Sequence, residues 1–188
     1  MEDTFSNLAT YGYIGLFLYS LGGGFVAIVA AGVLSYMGKM DLTLSIAIAF
    51  IANALGSFML FYMARYQKSM MMDGLRKHRR KLALAHILLK RNDSWIIVVQ
   101  KFIYGIKTII PITIGLTKYS FKKFAFFNIA GAAAWALVFG FGSYYSGGFL
   151  VQMAEAVSER PWIAPIILVT FASLAWFYMT KATKRKPK

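Results

Sequence analysis

The chain has 188 residues, 59% of them hydrophobic, and its 21 basic and 7 acidic side chains give a formal net charge of +14. A soluble domain of this size needs more polar surface, so the composition excludes an ordinary soluble protein and indicates an integral membrane protein. The basic excess lies between apolar runs, where membrane orientation and anionic lipid explain it better than nucleic acid does. Because cysteine is absent, disulfides and thiol chemistry are excluded.

The first apolar run covers residues 11–37 and is interrupted by Gly22–Gly24. Each glycine costs about 1 kcal/mol relative to alanine inside a helix, so we predict two short helical arms joined at this triplet. The N-terminus lacks the basic region of a signal peptide, and we therefore expect this run to be retained. The second run, residues 42–66, is continuous and predicts a transmembrane helix.

Residues 67–93 form a basic segment in which Leu75, Leu82 and Leu89 recur at heptad spacing. This pattern predicts an amphipathic helix on the cytoplasmic membrane surface, and a solvated helical linker fits it equally well. The two histidines of the segment have no companions at metal-ligand spacing, so we expect ordinary surface histidines there.

The third apolar run, residues 95–117, carries Lys101 and Lys107 and is interrupted by Gly105 and Pro111. If this run crossed the membrane, the lysines that follow it and the basic C-terminus would lie outside, and the later acidic residues would lie inside. That arrangement inverts the positive-inside rule. We therefore predict that the run enters the membrane and returns to the cytoplasmic side as a re-entrant hairpin.

Two further apolar runs, residues 124–146 and 162–180, predict transmembrane helices. We expect a mildly acidic external loop over residues 147–160 between them, and a basic cytoplasmic tail over residues 181–188. By the same charge argument, the first apolar run is predicted to be a hairpin that enters from the opposite face of the membrane.

The predicted fold is an all-α integral membrane protein. It is an inverted-topology repeat of a re-entrant hairpin plus a transmembrane helix, with an additional C-terminal transmembrane helix. Non-helical backbone at membrane depth is tolerated only where it is buried in protein or lines a wet cavity, and transporters place substrate sites at such breaks. The residues expected to shape the breaks are Gly22, Gly23, Gly24, Gly105, Pro111 and Gly115.

Lys101 and Lys107 are the main candidate binding residues. A lysine at membrane depth costs about 2.5–3.5 kcal/mol, and such side chains usually face a cavity or a partner. All seven acidic residues fall outside the apolar runs, so an anion from outside the chain, such as a lipid phosphate, is the expected partner. Snorkelling of both lysines to the interface is the alternative. Arg65 is a third candidate phosphate contact, although the positive-inside rule alone explains an arginine at the cytoplasmic end of its helix.

Four polar residues are candidates for lining the cavity. Asn53 and Ser57 lie about one helical turn apart, and hydrogen bonding between helices is the alternative role for them. Tyr104 and Thr108 lie near the glycine break of the third run. The sequence contains no nucleotide loop, metal cluster or nucleophile constellation, so an enzyme, a cofactor and a metal site are not expected.

The stretch Gln100–Thr108 resembles a motif of the DedA family, also called the SNARE-associated or VTT-domain membrane proteins. The family motif is roughly G-R-F-I-P-x-V-R-T, and Lys101 and Lys107 fall on its two arginines. The similarity covers about residues 12–147. Its other matching positions include Phe102, Thr108, Pro111, Gly115, Gly131, Trp135, Gly56, Tyr62 and Arg65.

The resemblance implies a bacterial inner-membrane protein with two opposed re-entrant hairpins that moves phospholipids or undecaprenyl phosphate across the bilayer. Family members usually carry acidic residues in the first hairpin and an aspartate at the position of Ser57, and this chain lacks both. These departures favour an uncoupled scramblase or facilitator over a proton-driven carrier. Lysine in place of both arginines keeps the charge and loses the bidentate geometry.

We therefore expect a lipid transporter or scramblase in which Lys101 and Lys107 hold the phosphate of the lipid. Two alternatives remain, a small anion channel that uses the same lysines and a non-transporting scaffold that acts through residues 67–93. The expected partners are membrane phospholipids or undecaprenyl phosphate and not nucleic acid, and self-association into a homo-oligomer is left open. The basic segment and the C-terminus are expected on the cytoplasmic side.

Overall fold

The computed structural model of the protein describes residues 2–68, 87, 93–103 and 106–159. In that part of the chain every regular element is helical, so the predicted all-α class is confirmed there. The chain forms two compact units, Met1–Gly147 and Gly148–Lys188. The helices are α1 (Glu2–Leu21), α2 (Val26–Tyr36), α3 (Leu42–Tyr66), α4 (Ile96–Val99), α5 (Ile109–Leu116), α6 (Phe121–Tyr145) and α7 (Gly147–Glu159), with 3-10 turns at Asp93–Trp95 and Gln100–Phe102 on either side of α4.

Two of the described helices are long and apolar enough to cross a membrane. α3 and α6 each have 25 residues, and their most apolar stretches have mean hydropathies of 2.0 and 1.8. At 1.5 Å per residue each helix is about 37 Å long, which exceeds a hydrocarbon core of about 30 Å. Asp41 caps α3, because its carboxylate accepts a hydrogen bond of 2.6 Å from the Leu44 amide. α6 begins at Phe121, earlier than the predicted start at residue 124, since the lysines of its first turn are accommodated in the helix.

The first apolar run is broken at its glycine triplet. α1 and α2 are separated by a turn in which Gly23 has a φ of +72°, a conformation that favours glycine. α1 extends back to Glu2, well before the predicted start of the run at residue 11. The two ends of the broken segment meet, because the Tyr13 hydroxyl accepts a hydrogen bond of 2.8 Å from the Asp41 amide. We call this part of the chain, residues 11–41, the first broken segment.

The third apolar run does not form a single helix either. Its longest described helix, α5, has eight residues and is about 12 Å long, so none of its described elements is long enough to span a membrane. Pro111 lies in the first turn of α5, where the helix needs no hydrogen bond from its nitrogen. The ends of the run also meet, since the hydroxyl oxygens of Ser94 and Tyr119 are 2.6 Å apart. We call residues 94–119 the second broken segment.

Each broken segment packs against both long helices. α1 and α5 contact α3, and α2 and α4 contact α6. These four contacts are exchanged among themselves when the first half of the chain (α1 to α3) is swapped for the second (α4 to α6). The contacts of α2 with α1 and α3 have no counterpart of similar extent in the second half. Glycines allow close contact where α2 crosses α6 and where α5 crosses α3. A Cβ on Gly32 of α2 would stand 3.0 Å from the Gly140 carbonyl oxygen, and a Cβ on Gly115 of α5 would stand 2.5 Å from the Phe61 carbonyl oxygen. Phe61 and Gly140 hold the same position in α3 and α6, counted from the first residue of each helix.

The expectation of a loop over residues 147–160 is wrong, because residues 147–159 form α7. Two glycines and the acidic residues favour a loop in the sequence, yet the glycines stand at the start of the helix, and Phe149 and Met153 follow at helical spacing. The amphipathic helix predicted within residues 67–93 falls almost entirely outside the described residues. The helix predicted at residues 162–180 and the tail at residues 181–188 lie wholly outside them.

Candidate functional site

Lys101 lies in the turn that follows α4, and its ammonium group reaches α3. The side chain is buried, with 6% of its surface exposed. Its Nζ donates hydrogen bonds of 2.6 Å to Asn53 Oδ1 and 3.2 Å to Ser57 Oγ. Asn53 and Ser57 lie on one face of α3 because they are four residues apart. These acceptors of the Lys101 ammonium group are therefore neutral oxygen atoms.

The Lys107 side chain connects the second broken segment to the glycine turn of the first broken segment. It lies in the turn before α5, and its ammonium group donates a hydrogen bond to the Gly23 carbonyl oxygen in the turn between α1 and α2. The Lys107 side chain also passes within 3.3 Å of the place where a Cβ on Gly23 would stand. The absence of a side chain at Gly23 thus allows the left-handed turn and the close approach of Lys107.

Cavities of different sizes adjoin the two lysines. The small cavity, of about 20 Å³, lies between the first glycine turn, α3 and both lysines, and has room for about one water molecule. The middle cavity, of about 130 Å³, is lined by both lysines and by aromatic rings. The wide cavity, of about 760 Å³, lies beside Lys107 and Thr108 and falls within the range of roughly 300–1,000 Å³ that is typical of ligand pockets. The rest of its lining consists of Leu18, Tyr19, Gly22, Gly24, Phe25 and Val26.

Aromatic rings form one wall of the middle cavity. Phe139 of α6 stacks with Phe25 and with Phe102, at centroid distances of 5.8 Å and 6.0 Å. Trp135, one turn earlier in α6, lies 5.5 Å from Phe139 and is tilted against it. The two lysines therefore face a space of low polarity, in which charges interact more strongly than in water.

Arg65 caps the C-terminus of α5. Its Nε donates a hydrogen bond of 3.0 Å to the Gly115 carbonyl oxygen, and its Nη2 donates to the carbonyl oxygens of Thr117 and Tyr119 at 3.0 Å and 2.9 Å. The guanidinium carbon also lies 4.6 Å from the centre of the Phe61 ring. The last carbonyl groups of a helix have no partners within the helix, so Arg65 satisfies groups that would otherwise lack them. Arg65 is not among the residues that line the three cavities, and its role as a phosphate contact stays a prediction.

Replacing Arg65 with alanine is expected to destabilise the protein, because three carbonyl oxygens lose a charged donor. Such hydrogen bonds contribute about 1.5–3 kcal/mol each and are not additive, so we expect a loss of about 2 kcal/mol. For a chain of this length that loss lowers the Tm by about 4–8 °C, measured by thermal unfolding in detergent. Arg65→Lys keeps the charge without the forked geometry and should recover only part of the loss. An unchanged Tm in Arg65→Ala would rule out the capping role.

Most of the predicted site residues lie together. Pro111 and Gly115 are in α5, where Gly115 allows close contact with α3, and they do not line the cavities. A Cβ on Gly24 would stand 2.0 Å from the Tyr19 ring, so Gly24 preserves the space beside the wide cavity. Tyr104 and Gly105 lie outside the described residues. The predicted residues that line the small cavity together are Gly22, Gly23, Asn53, Ser57, Lys101, Lys107 and Thr108.

The sequence did not indicate two features of the site. One is the aromatic wall, for which the available signal is the four-residue spacing of Trp135 and Phe139 among small residues. The other is the contact made by Gly56, where a Cβ would stand 1.9 Å from the Leu21 carbonyl oxygen. Gly56 thus lets the end of α1 rest on α3 beside the residues that hold Lys101. Its match to the family motif singles out Gly56 in the sequence, but it does not indicate this contact.

Comparisons with known proteins agree with the motif in the second broken segment. The model of the VTT domain matches residues 22–145. Inner membrane protein YohD of Escherichia coli (strain K12) is 25% identical over 182 residues, which cover 96% of this chain and 95% of that protein. Protein DedA of the same strain is 28% identical over 69 residues, which cover 37% of this chain and 32% of that protein. No solved structure matches the chain significantly. Since the VTT-domain match includes both long helices and both breaks, the chain belongs to the VTT-domain family of membrane proteins, the DedA family.

Proposed function

We propose that this protein moves phosphate-bearing lipids across a membrane, as a scramblase or transporter. One observation carries the proposal: the ammonium groups of Lys101 and Lys107 converge on cavities at the point where the two broken segments meet. A cation at membrane depth is costly unless it faces a cavity or a partner. A phosphate is a suitable partner, because hydrogen bonds between charged groups are about twice as strong as those between neutral groups.

In this proposal both broken segments are re-entrant hairpins that enter from opposite faces of the membrane. In support, the ends of each segment are tied to one another, by Tyr13 with Asp41 and by Ser94 with Tyr119. A segment whose two ends lie side by side returns to the depth in the membrane at which it started. The four contacts that are exchanged among themselves when the two halves are swapped support an inverted repeat, the architecture in which transporters place sites at broken helices.

The wide cavity offers a path for the lipid. Its lining includes the polar residues Lys107 and Thr108 and the apolar residues Leu18 and Val26. Leu18 and Val26 are more than half exposed, at 62% and 54%, and thus face the surroundings of the protein. We propose that the lipid phosphate replaces the Gly23 carbonyl as the acceptor of Lys107, while the hydrocarbon chain stays outside against these residues.

We further propose that the protein lies in the bacterial inner membrane, as the name of the relative YohD states for that protein. Residues 67–93 and the C-terminus are placed on the cytoplasmic side by the positive-inside rule. The transported lipid is a phospholipid or undecaprenyl phosphate. Transport is passive, because the position after Gly56 carries the hydroxyl of Ser57, which binds Lys101, and not a carboxylate that could carry a proton. Assembly into a homo-oligomer remains compatible with this function.

A reconstitution experiment tests the proposal. Purified protein in liposomes should move a tail-labelled fluorescent phosphatidic acid between leaflets. The measurement is the fraction of fluorescence that a membrane-impermeant quencher removes. Without lipid movement this fraction equals the share of the label in the outer leaflet, and with lipid movement it exceeds that share. Lys107→Ala is expected to slow this movement by about 10–100-fold, since a hydrogen bond to a charged group is worth about 1.5–3 kcal/mol. Lys101→Ala should slow it at least about tenfold for the same reason. Lys118→Ala is the matched control, because Lys118 is exposed in the turn between α5 and α6, and its rate should equal that of the unmodified protein.

Three results would contradict the proposal. Unchanged rates in both Lys101→Ala and Lys107→Ala would remove the lysines from the site. Anion conductance in planar bilayers without lipid movement would identify an anion channel instead. A cellular phenotype that survives both lysine substitutions and disappears on deletion of residues 67–93 would identify a scaffold.

A further inference from the structure

α7 begins where a long apolar helix ends. Only Ser146 separates it from α6, whose 25 residues are long and apolar enough to cross a membrane. The first turn of α6 carries Lys122 and Lys123, and its last turn carries Tyr144 and Tyr145. Lysine and tyrosine are typical of the boundaries between lipid and water. The start of α7 is therefore expected at the membrane boundary opposite to Lys122 and Lys123.

Close packing against α2 fixes this starting point. A Cβ on Gly147 would stand 2.4 Å from Cγ and 2.6 Å from Cβ of Tyr36, so a larger residue would not fit there unless Tyr36 moved. The Tyr36 ring in turn lies 6.1 Å from the Tyr144 ring, edge to face. The first residue of α7 is thereby held beside two tyrosines of the kind that mark a membrane boundary.

α7 is amphipathic and too short to span a membrane. Its 13 residues give a length of about 20 Å, against a hydrocarbon core of about 30 Å. Phe149 and Met153 lie on one face because they are four residues apart, and both are exposed, at 65% and 44%. Glu155 is also exposed, and it lies about 160° around the helix from Met153. The apolar face of α7 is thus open in the part of the chain that the structure describes.

A lipid surface fits this face. An amphipathic helix at the level of a membrane boundary buries its apolar face by lying along the boundary. This orientation takes Phe149 and Met153 out of water and leaves Glu155 on the opposite side, in contact with water. Insertion of the whole helix is disfavoured, because a charged side chain inside the hydrocarbon core is costly.

The charge of α7 indicates the kind of lipid. Helices that lie on membranes are often rich in lysine and arginine, which attract anionic lipids. α7 instead has glutamates at positions 155 and 159 and no lysine or arginine. An anionic surface would repel these glutamates, whereas a zwitterionic surface carries no net charge.

We propose that α7 is a membrane-binding helix that lies along the lipid surface at the end of α6 and prefers zwitterionic lipids to anionic ones. Phe149 and Met153 contact the lipid chains, and Glu155 faces water. This surface lies outside the lysine site, since none of the residues that line the three cavities belongs to α7. The proposal therefore stands or falls independently of lipid transport.

Spin labels on the full-length protein test the orientation of α7. The chain contains no cysteine, so Phe149→Cys, Met153→Cys and Glu155→Cys each carry one label. In phosphatidylcholine liposomes, the label's collision rates are measured with oxygen, which concentrates in lipid, and with a nickel chelate, which stays in water. We expect the ratio of oxygen to nickel collisions to be at least about fivefold higher at positions 149 and 153 than at position 155, because interfacial helices bury their apolar face about 5–10 Å deep.

Two reference positions calibrate the measurement. Leu137→Cys, on the exposed side of α6, gives the ratio for a lipid-facing label, and Lys118→Cys, in the turn between α5 and α6, gives the ratio for a water-facing label. Ratios like that of Lys118→Cys at all three positions of α7 would overturn the proposal, because α7 would then lie in water. Low collision rates with both reagents at positions 149 and 153 would also overturn it, because protein would then cover the apolar face.

The lipid preference is tested by replacing half of the phosphatidylcholine with anionic phosphatidylglycerol. The ratio for Phe149→Cys is then expected to fall at least about threefold, since each charge near an anionic surface contributes about 1 kcal/mol. Adding Glu155→Gln and Glu159→Gln to the same labelled protein provides the matched control, which should keep its ratio. All labelled variants should keep the Tm of the original protein. An equal ratio in the two kinds of liposome for Phe149→Cys would overturn the preference for zwitterionic lipids.

Discussion

Replacing Gly56 with alanine is expected to lower the free energy of unfolding by about 3 kcal/mol. The added Cβ would stand 1.9 Å from the Leu21 carbonyl oxygen and 2.9 Å from the Leu21 carbonyl carbon. Both are backbone atoms at the end of α1, and they cannot turn aside as a flexible side chain can. Overpacking of a core costs about 1–3 kcal/mol, and an obstacle made of backbone places this substitution at the upper end. The displaced α1 would also carry the turn with Gly23 away from Lys107.

A control substitution at a second glycine distinguishes the steric clash at Gly56 from the general effect of replacing glycine with alanine in a helix. Gly142 lies in α6, where an added Cβ meets no other atom within 4 Å. Alanine is favoured over glycine by about 1 kcal/mol inside a helix, so Gly142→Ala should keep or raise the Tm. Gly56→Ala should lower it by about 6–12 °C. Equal melting curves for the two variants would mean that α1 does not rest on α3 at Gly56.

Replacing Asn53 with leucine is expected to cost about 3 kcal/mol, because it removes the nearer acceptor from the buried Lys101 ammonium group. Breaking a buried charged contact by removing one partner typically costs about 3–5 kcal/mol, and Ser57 retains part of the interaction here. The double variant Asn53→Leu with Lys101→Met should regain most of the stability, since replacing both partners by apolar groups is often nearly neutral. Thermal unfolding of the single and double variants gives the coupling, expected at about 2 kcal/mol.

The same double variant separates the structural role of Lys101 from its role in transport. Ser57 remains satisfied in it, because its hydroxyl also donates to the backbone carbonyl oxygen of residue 53 at 3.3 Å. The proposal expects a protein that melts like the original and moves phosphatidic acid at least about tenfold more slowly. If the stable double variant transports at the original rate, Lys101 serves only to hold α4 against α3.

The breaks in the helices could be predicted from single residues in the sequence. Three successive glycines disfavour a helix whatever surrounds them, and the structure indeed has a turn there with Gly23 at positive φ. An interruption of the third apolar run is predicted from its lysines, Gly105 and Pro111, and the run is indeed not one helix. Pro111 lies within the first turn of α5, and Gly105 lies outside the described residues. α3 and α6 could also be predicted from the sequence, because a long apolar run without glycine triplets or buried charge predicts one helix.

The partners of the lysines could not be predicted in the same way. Lys101 and Asn53 are 48 residues apart, and Lys107 and Gly23 are 84 residues apart. No local pattern relates residues at such separations, since their meeting depends on how α4 and α5 pack against the long helices. Arg65 illustrates the same difficulty: its charge and its place near a helix end suggest topology, while its three carbonyl acceptors lie in another part of the chain.

The packing of helices from the first half against helices from the second half also affects how the protein folds during its synthesis. α2 packs against α6, so the contact of Gly32 with Gly140 cannot form until the ribosome has added Gly140. At about 5–20 residues per second, this delay is on the order of ten seconds. Until Lys107 has been added, the glycine turn of the first half also lacks the hydrogen bond from that side chain. The Gly23 carbonyl oxygen therefore needs another hydrogen-bond donor, such as water, until the second half of the chain has been made.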